Sequence, residues 1–113
     1  LATYPDLTVV CGAVERHPDD ADAITNPTAV FEVLSDSTEG WDRGGKFRHL
    51  GAAPSLRHYV LVSQDPRSIE VYTRTGEQRW ELVRLGPGQT AELGALGIAL
   101  DVDRVYRNLP PEP

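Results

Sequence analysis

Thr28-Ala29-Val30-Phe31-Glu32-Val33-Leu34 is the stretch whose reading decides the fold. It is short, β-branched and aromatic, the composition of a strand. At a period of two, Val30, Glu32 and Leu34 share one face, and Phe31 and Val33 share the other. Apolar residues on both faces predict a strand covered on both sides. Glu32 is the exception. A carboxylate in such a strand is costly unless it is paired, protonated or bound to metal. A salt bridge, or a strand end that surfaces, explains it as well as chemistry does.

Upstream, Leu7-Thr8-Val9-Val10-Cys11 reads as another short strand, ended by Gly12, and residues 15–26 read as a polar loop. Downstream, Ser35-Asp36-Ser37-Thr38 signals a turn and a helix start. The helix then runs from about Glu39 to Leu50 and stops at Pro54, with Gly44 and Gly45 weakening it. Runs over 58–63, 68–74 and 78–85 are strand-like and separated by turns at Asp65-Pro66 and Thr75-Gly76-Glu77. Their order predicts an antiparallel meander. After Gly86-Pro87-Gly88 come weaker strands over 90–93 and 98–100, then a last helical turn. Asp101 caps that turn, and Val102, Val105 and Tyr106 share one of its faces. The fold class is α/β: one main sheet with few helices, a single domain over residues 1–113 and a frayed tail at 109–113.

Composition narrows the function. The chain is 40% hydrophobic and 25% charged, near globular averages, which excludes disordered and collagen-like classes. Cys11 is the lone cysteine, so no intrachain disulfide forms, and a reducing, cytoplasmic setting is expected. No apolar run approaches the length of a membrane span, and no leader opens the sequence. A start at Leu1 and the absence of methionine suggest a fragment. The net charge of -6 and pI near 4.9 give no overall attraction to a phosphate backbone, so nucleic acid would need a locally basic surface.

Two further residues extend the chemistry of Glu32. Asp6, in Tyr4-Pro5-Asp6, stands at the mouth of the first strand, where a Pro-Asp turn is the plain explanation. If the two strands are neighbours, Asp6 and Glu32 can converge on one hard cation such as magnesium. Lys46, in Asp42-Arg43-Gly44-Gly45-Lys46, is four residues after Asp42, the spacing of an ordinary helix-surface ion pair. Yet two carboxylates and a cation are also the minimal kit for phosphodiester hydrolysis.

Tyr4-Pro5-Asp6, Pro27 to Ser35, Ser37-Thr38, Asp42-Arg43 and Lys46, followed by Pro54 to Asp65 and Leu96 to Leu100 leading to Val105-Tyr106, resemble the Uma-two family of restriction endonuclease-like proteins. That family is a bacterial group of the PD-(D/E)xK nuclease superfamily. The resemblance spans nearly the whole chain. It implies a restriction-endonuclease-like mixed sheet, a divalent metal (Mg2+ or Mn2+) and hydrolysis of nucleic-acid phosphodiesters, DNA in the first instance. It also implies that Asp6 and Glu32 are metal ligands and that Asp6, Glu32 and Lys46 are the catalytic set. The superfamily's usual lysine position, two after the second acid, is occupied by Leu34, so the resemblance implies a lysine moved to the helix. Two departures stand out: Leu50 replaces an aromatic residue four after the lysine, and the family's N-terminal region before the Pro-Asp strand is missing. A homodimer is the natural partner state for a nuclease that cuts both strands. The alternative is a catalytically inactive nuclease-fold module for dimerisation or partner binding.

Other candidates have plainer explanations. Ser35 and Asp36 suit a turn. His17, His49 and His58 lack zinc-ligand spacing, and Asp19, Asp20 and Asp22 fit a solvated loop rather than a calcium loop. No Gly-x-Ser-x-Gly elbow is present. Arg43, Arg48 and Arg57 are available for a basic patch beside Lys46, and Trp41 for base stacking or core packing.

Overall fold

The computed structural model describes residues 7–34, 53–64 and 67–108. The expected helix over 39–50, with Lys46, Trp41, Arg43 and Arg48, lies outside them, as do Asp6, Ser35, Asp36 and the Asp65-Pro66 turn.

The stretch Thr28 to Leu34 contains β4 (Ala29–Val33), the second strand of a five-stranded sheet. On one side it pairs antiparallel with β1 (Leu7–Val9), in a register that sets Leu7 opposite Phe31 and Val9 opposite Ala29. On the other it pairs parallel with β5 (His58–Ser63). Strands β6 (Ser68–Gly76) and β7 (Arg79–Leu85) then follow as antiparallel neighbours. The sheet order is therefore β1-β4-β5-β6-β7, and β5 to β7 form the expected meander. Parallel neighbours cannot be joined by a tight turn, so the chain between β4 and β5 is a crossover. That crossover contains Lys46.

Both sheet faces are covered, as the two-faced pattern of β4 requires. Val60, Val62, Ile69, Val71 and Leu85 form the core of one face together with Ala91, Leu93 and Val102. Val30, Leu34, Leu56, Tyr59 and Leu61 form the other. Burying each such aliphatic side chain contributes about 1.5–3 kcal/mol, so central β5, with Tyr59 to Leu61 fully buried, anchors both layers.

The first core is capped by the C-terminal segment. A small sheet pairs β8 (Thr90–Leu93) with β9 (Ile98–Asp101) through a 3-10 turn at Gly94–Leu96. Gly97 closes that turn at φ 66°, a left-handed conformation that a side chain would strain. Helix α1 (Val102–Asn108) begins as expected: the Asp103 N–H donates to Asp101 Oδ1 at 3.0 Å, an N-cap bond. Val102 is buried, and Val105 and Tyr106 pack on the same core. The Tyr106 hydroxyl reaches back to the carbonyls of Ser63 and Ser68, the latter at 2.9 Å, and ties the helix to the β5–β6 connection.

One expectation is corrected. Residues 15–26 are not simply a loop: β2 (Arg16–His17) and β3 (Asp20–Ile24) form a short hairpin. Asn26 closes its base by accepting from the Glu15 N–H at 2.8 Å and donating to the Ala13 carbonyl at 2.9 Å.

Candidate functional site

Glu32 occupies the position that its strand pattern demanded. It is 3% exposed, so the explanation by a surfacing strand end fails. The same alternation governs its neighbours, because directly opposed residues on paired strands share a face. Glu32 stands opposite Leu61, Leu61 opposite Glu70, and Glu70 opposite Arg84. One row across the sheet thus reads Glu32, Leu61, Glu70, Arg84. Two carboxylates flank one leucine on a face otherwise built of Val30, Tyr59, Tyr72 and Trp80.

Glu70 is 1% exposed and was missed from the sequence. Its strand gave no local signal: in Ser68-Ile69-Glu70-Val71-Tyr72 the acid falls on the more polar face of an ordinary alternation, whereas Glu32 stands between Val30 and Leu34. Arg84 donates to Glu70 Oε2 from Nη2 at 2.7 Å and from Nε at 3.3 Å. Neither Glu32 nor Glu70 is without a partner.

The far end of the same face is held by Arg74. Its Nε donates to the Leu56 carbonyl at 2.7 Å, Nη2 to the Ala53 carbonyl at 3.0 Å and Nη1 to the Glu77 carbonyl at 2.5 Å. The guanidinium also stacks 4.4 Å from the centroid of Trp80. These bonds fix the chain where it returns from the crossover into β5. A cavity of about 600 Å³ opens beside them, lined by Pro54, Arg57, Arg74 and the turn Thr75 to Gln78.

His58 faces the opposite layer. It is 2% exposed, its Nε2 accepts from the Ala95 N–H at 3.1 Å, and its Nδ1 contacts Thr73 Oγ1 at 3.2 Å. Accepting at Nε2 requires a neutral ring with the proton on Nδ1, which makes Thr73 Oγ1 the acceptor of that bond. Burial lowers the His58 pKa, and the nearby Arg57 charge lowers it further. His58 is therefore a neutral structural link between β5 and the β8–β9 unit.

Of the three residues singled out for catalysis, the described structure contains Glu32; Asp6 and Lys46 lie outside it. Strands β1 and β4 are neighbours, the condition set for Asp6 and Glu32 to meet. Among the described residues, no group of three or more His, Cys, Asp or Glu side chains is arranged to hold a metal. Among them, too, no helix is long and apolar enough to cross a membrane.

Comparison with known proteins supplies the lineage. A family model described as "Putative restriction endonuclease" (Uma2) matches residues 1–103. The chain belongs to the Uma2 family. That family is assigned to the PD-(D/E)xK superfamily, and the mixed five-stranded sheet with few helices is a restriction-endonuclease-like α/β fold. Two similar proteins come from the cyanobacterium Synechocystis sp.. The uncharacterized protein slr1290 is 38% identical over 107 residues, covering 95% of this chain and 55% of its own length. The uncharacterized protein sll1609 is 34% identical over 90 residues, covering 80% of this chain and 50% of its own. The chain thus spans about half the length of these curated relatives.

Proposed function

We propose that the chain is the metal-binding part of a cytoplasmic nuclease that hydrolyses DNA phosphodiester bonds with magnesium or manganese. The observation that carries this reading is the pairing of β1 with β4 beside a buried Glu32. Leu7 stands opposite Phe31, and the reading takes that register one residue further, to Asp6 and Glu32. Directly opposed side chains in an antiparallel pair are about 5 Å apart at Cβ, close enough for two carboxylates to share one cation.

The donor set suits the ion. Carboxylate oxygens are the ligands that magnesium and manganese prefer, and a buried carboxylate on an apolar strand gains most from a cation. Asp6 and Glu32 would hold it, and it would supply Lewis-acid polarisation of the phosphate and activation of a water. Lys46, from the crossover, donates to the phosphate oxygens as negative charge builds on them. The apolar surroundings of Glu32 strengthen each of these charge interactions by excluding water.

Calorimetric titration of magnesium and manganese into wild-type, Asp6→Ala and Glu32→Ala proteins tests the site. The expected result is one binding event that disappears in both variants, with DNA cleavage lost in those two and in Lys46→Ala. Metal binding that survives both substitutions would sink the assignment. Absence of metal binding and of cleavage in the whole protein would leave a nuclease-fold module for dimerisation or partner binding.

A further inference from the structure

A nuclease domain with a net charge of -6 must present cations where the DNA backbone lies, because counterion release from phosphates supplies much of the affinity. The row that contains Glu32 ends in such a cation. Glu70 and Arg84 form an unequal ion pair: the Glu70 side chain is 2% exposed and the Arg84 side chain 69%. With Glu70 buried, the cost of desolvating its carboxylate offsets much of the Coulombic gain of the pair. Stability alone is therefore a poor reason for it.

The geometry does serve orientation. Nε and Nη2 of Arg84 both donate to Glu70 Oε2, which fixes the plane of the guanidinium. Of the five N–H groups of the fork, two are used in this way and three remain directed elsewhere. The arginine on the same face of β6, Arg74, is committed to the carbonyls of Ala53, Leu56 and Glu77. Arg84 therefore presents an immobilised, solvent-facing fork in register with Glu32. Three strand spacings of about 4.8 Å separate the two positions, about 14 Å in all. In axial rise along a duplex this is roughly four nucleotide steps.

Resting on the nuclease reading above, we infer that Arg84 contacts a backbone phosphate of the DNA strand whose scissile bond lies at Glu32, and that Glu70 is its positioning residue. The contact sets where the strand lies relative to Glu32 and carries no base preference, since phosphates hold register while base edges carry sequence.

The test is fluorescence anisotropy with a labelled DNA duplex carrying hydrolysis-resistant phosphorothioate linkages, in magnesium, from about 50 to about 200 mM salt. It compares the wild-type whole protein, Arg84→Ala and the double variant Glu70→Gln/Arg84→Ala. The double variant removes both charges, leaves the net charge unchanged and strands no buried carboxylate, so it keeps its fold where Arg84→Ala fails to. The expected result is affinity weakened about tenfold, the order of one charge-assisted hydrogen bond. The slope of log K against log salt should fall by about 0.9, as for one lost phosphate contact. Magnesium binding should be unchanged in the double variant. An unchanged slope in variants that remain folded, while the wild type binds and cleaves DNA, overturns the inference and leaves the nuclease reading intact. Loss of magnesium binding in the double variant also overturns it, because Glu70 would then belong to the metal site. A wild-type protein that neither binds nor cleaves DNA overturns both.

Discussion

Arg74→Ala should remove about 3–4 kcal/mol of stability, and the structure shows where that figure comes from. Two of the Arg74 bonds, to the carbonyls of Leu56 at 2.7 Å and Ala53 at 3.0 Å, are partly buried. A hydrogen bond to a charged group contributes about 1.5 kcal/mol net at the low end of its range, so the two supply about 3 kcal/mol. Stacking on Trp80 at 4.4 Å adds roughly 0.5–1 kcal/mol, and the exposed bond to the Glu77 carbonyl adds little. Measured against a typical total of about 5–15 kcal/mol, this is a large fraction. Lysine keeps the charge but offers no planar fork, so Arg74→Lys should recover only about 1 kcal/mol. Urea unfolding followed by far-UV circular dichroism gives both values, with the slope of the transition checked for constancy. A double-mutant cycle with Trp80→Ala should return a coupling of about 0.5–1 kcal/mol. An Arg74→Ala midpoint within about 1 kcal/mol of wild type would refute the clamp. Full rescue by lysine would show that charge, not fork geometry, matters. On the proposed nuclease function, Arg74→Ala should also lower cleavage by more than the unfolded fraction explains, because Arg74 holds the chain where it enters β5.

Other expectations come from single contacts. His58 has a lowered pKa in the folded state, so below about pH 6.5 the unfolded chain binds the proton more readily. Its contribution is complete above the unfolded pKa and is lost as pH falls below it, so a pH series of melting temperatures should show a decline that His58→Gln removes. Tyr106→Phe leaves the Ser63 and Ser68 carbonyls without the hydroxyl and should lower stability by about 1–2 kcal/mol in denaturant unfolding. Leu61→Ala empties the position between Glu32 and Glu70 and should cost about 3 kcal/mol by the same measurement. A cost under about 1 kcal/mol would mean that the two carboxylates are not separated by packed core.

What was legible in the sequence was what period-two patterning encodes. The stretch around Glu32 announced a strand buried on both faces, and the three runs after Pro54 announced a meander, because alternation and turn residues are local signals. The Asp101 cap was equally local. The hairpin of residues 16–24 was not legible: its strands are short, Arg16 and His17 are exposed and Asp20 and Ile24 only half-buried, so no buried face leaves a pattern. Asn26 holds it closed through bonds to Glu15 and Ala13, residues 11 and 13 positions away, which composition cannot signal. Glu70 was overlooked for a different reason. Its strand reads as amphipathic in isolation, and only the pairing with β5 and β7 shows that the Glu70 face is also interior.

That difference bears on how the candidate site is built. A carboxylate on an interior strand needs a partner supplied by tertiary structure, so its role is decided by the register that brings a neighbour opposite. Glu70 faces Arg84 across β6 and β7, and the pair is neutral overall. Glu32 has Leu61 opposite it on the β5 side. Any opposite charge it gains along its row must therefore come from the β1 side or from above the face. In the proposed site Asp6, another acid, lies on the β1 side and adds a second negative charge beside Glu32. Two like charges at that separation are favourable only with a cation between them. Substitution of Asp6 by asparagine should consequently weaken magnesium binding while making the metal-free protein more stable, a pair of opposite effects that a purely structural Asp6 would not produce. Thermal unfolding with and without magnesium separates the two cases, and equal losses in both conditions would count against a shared site.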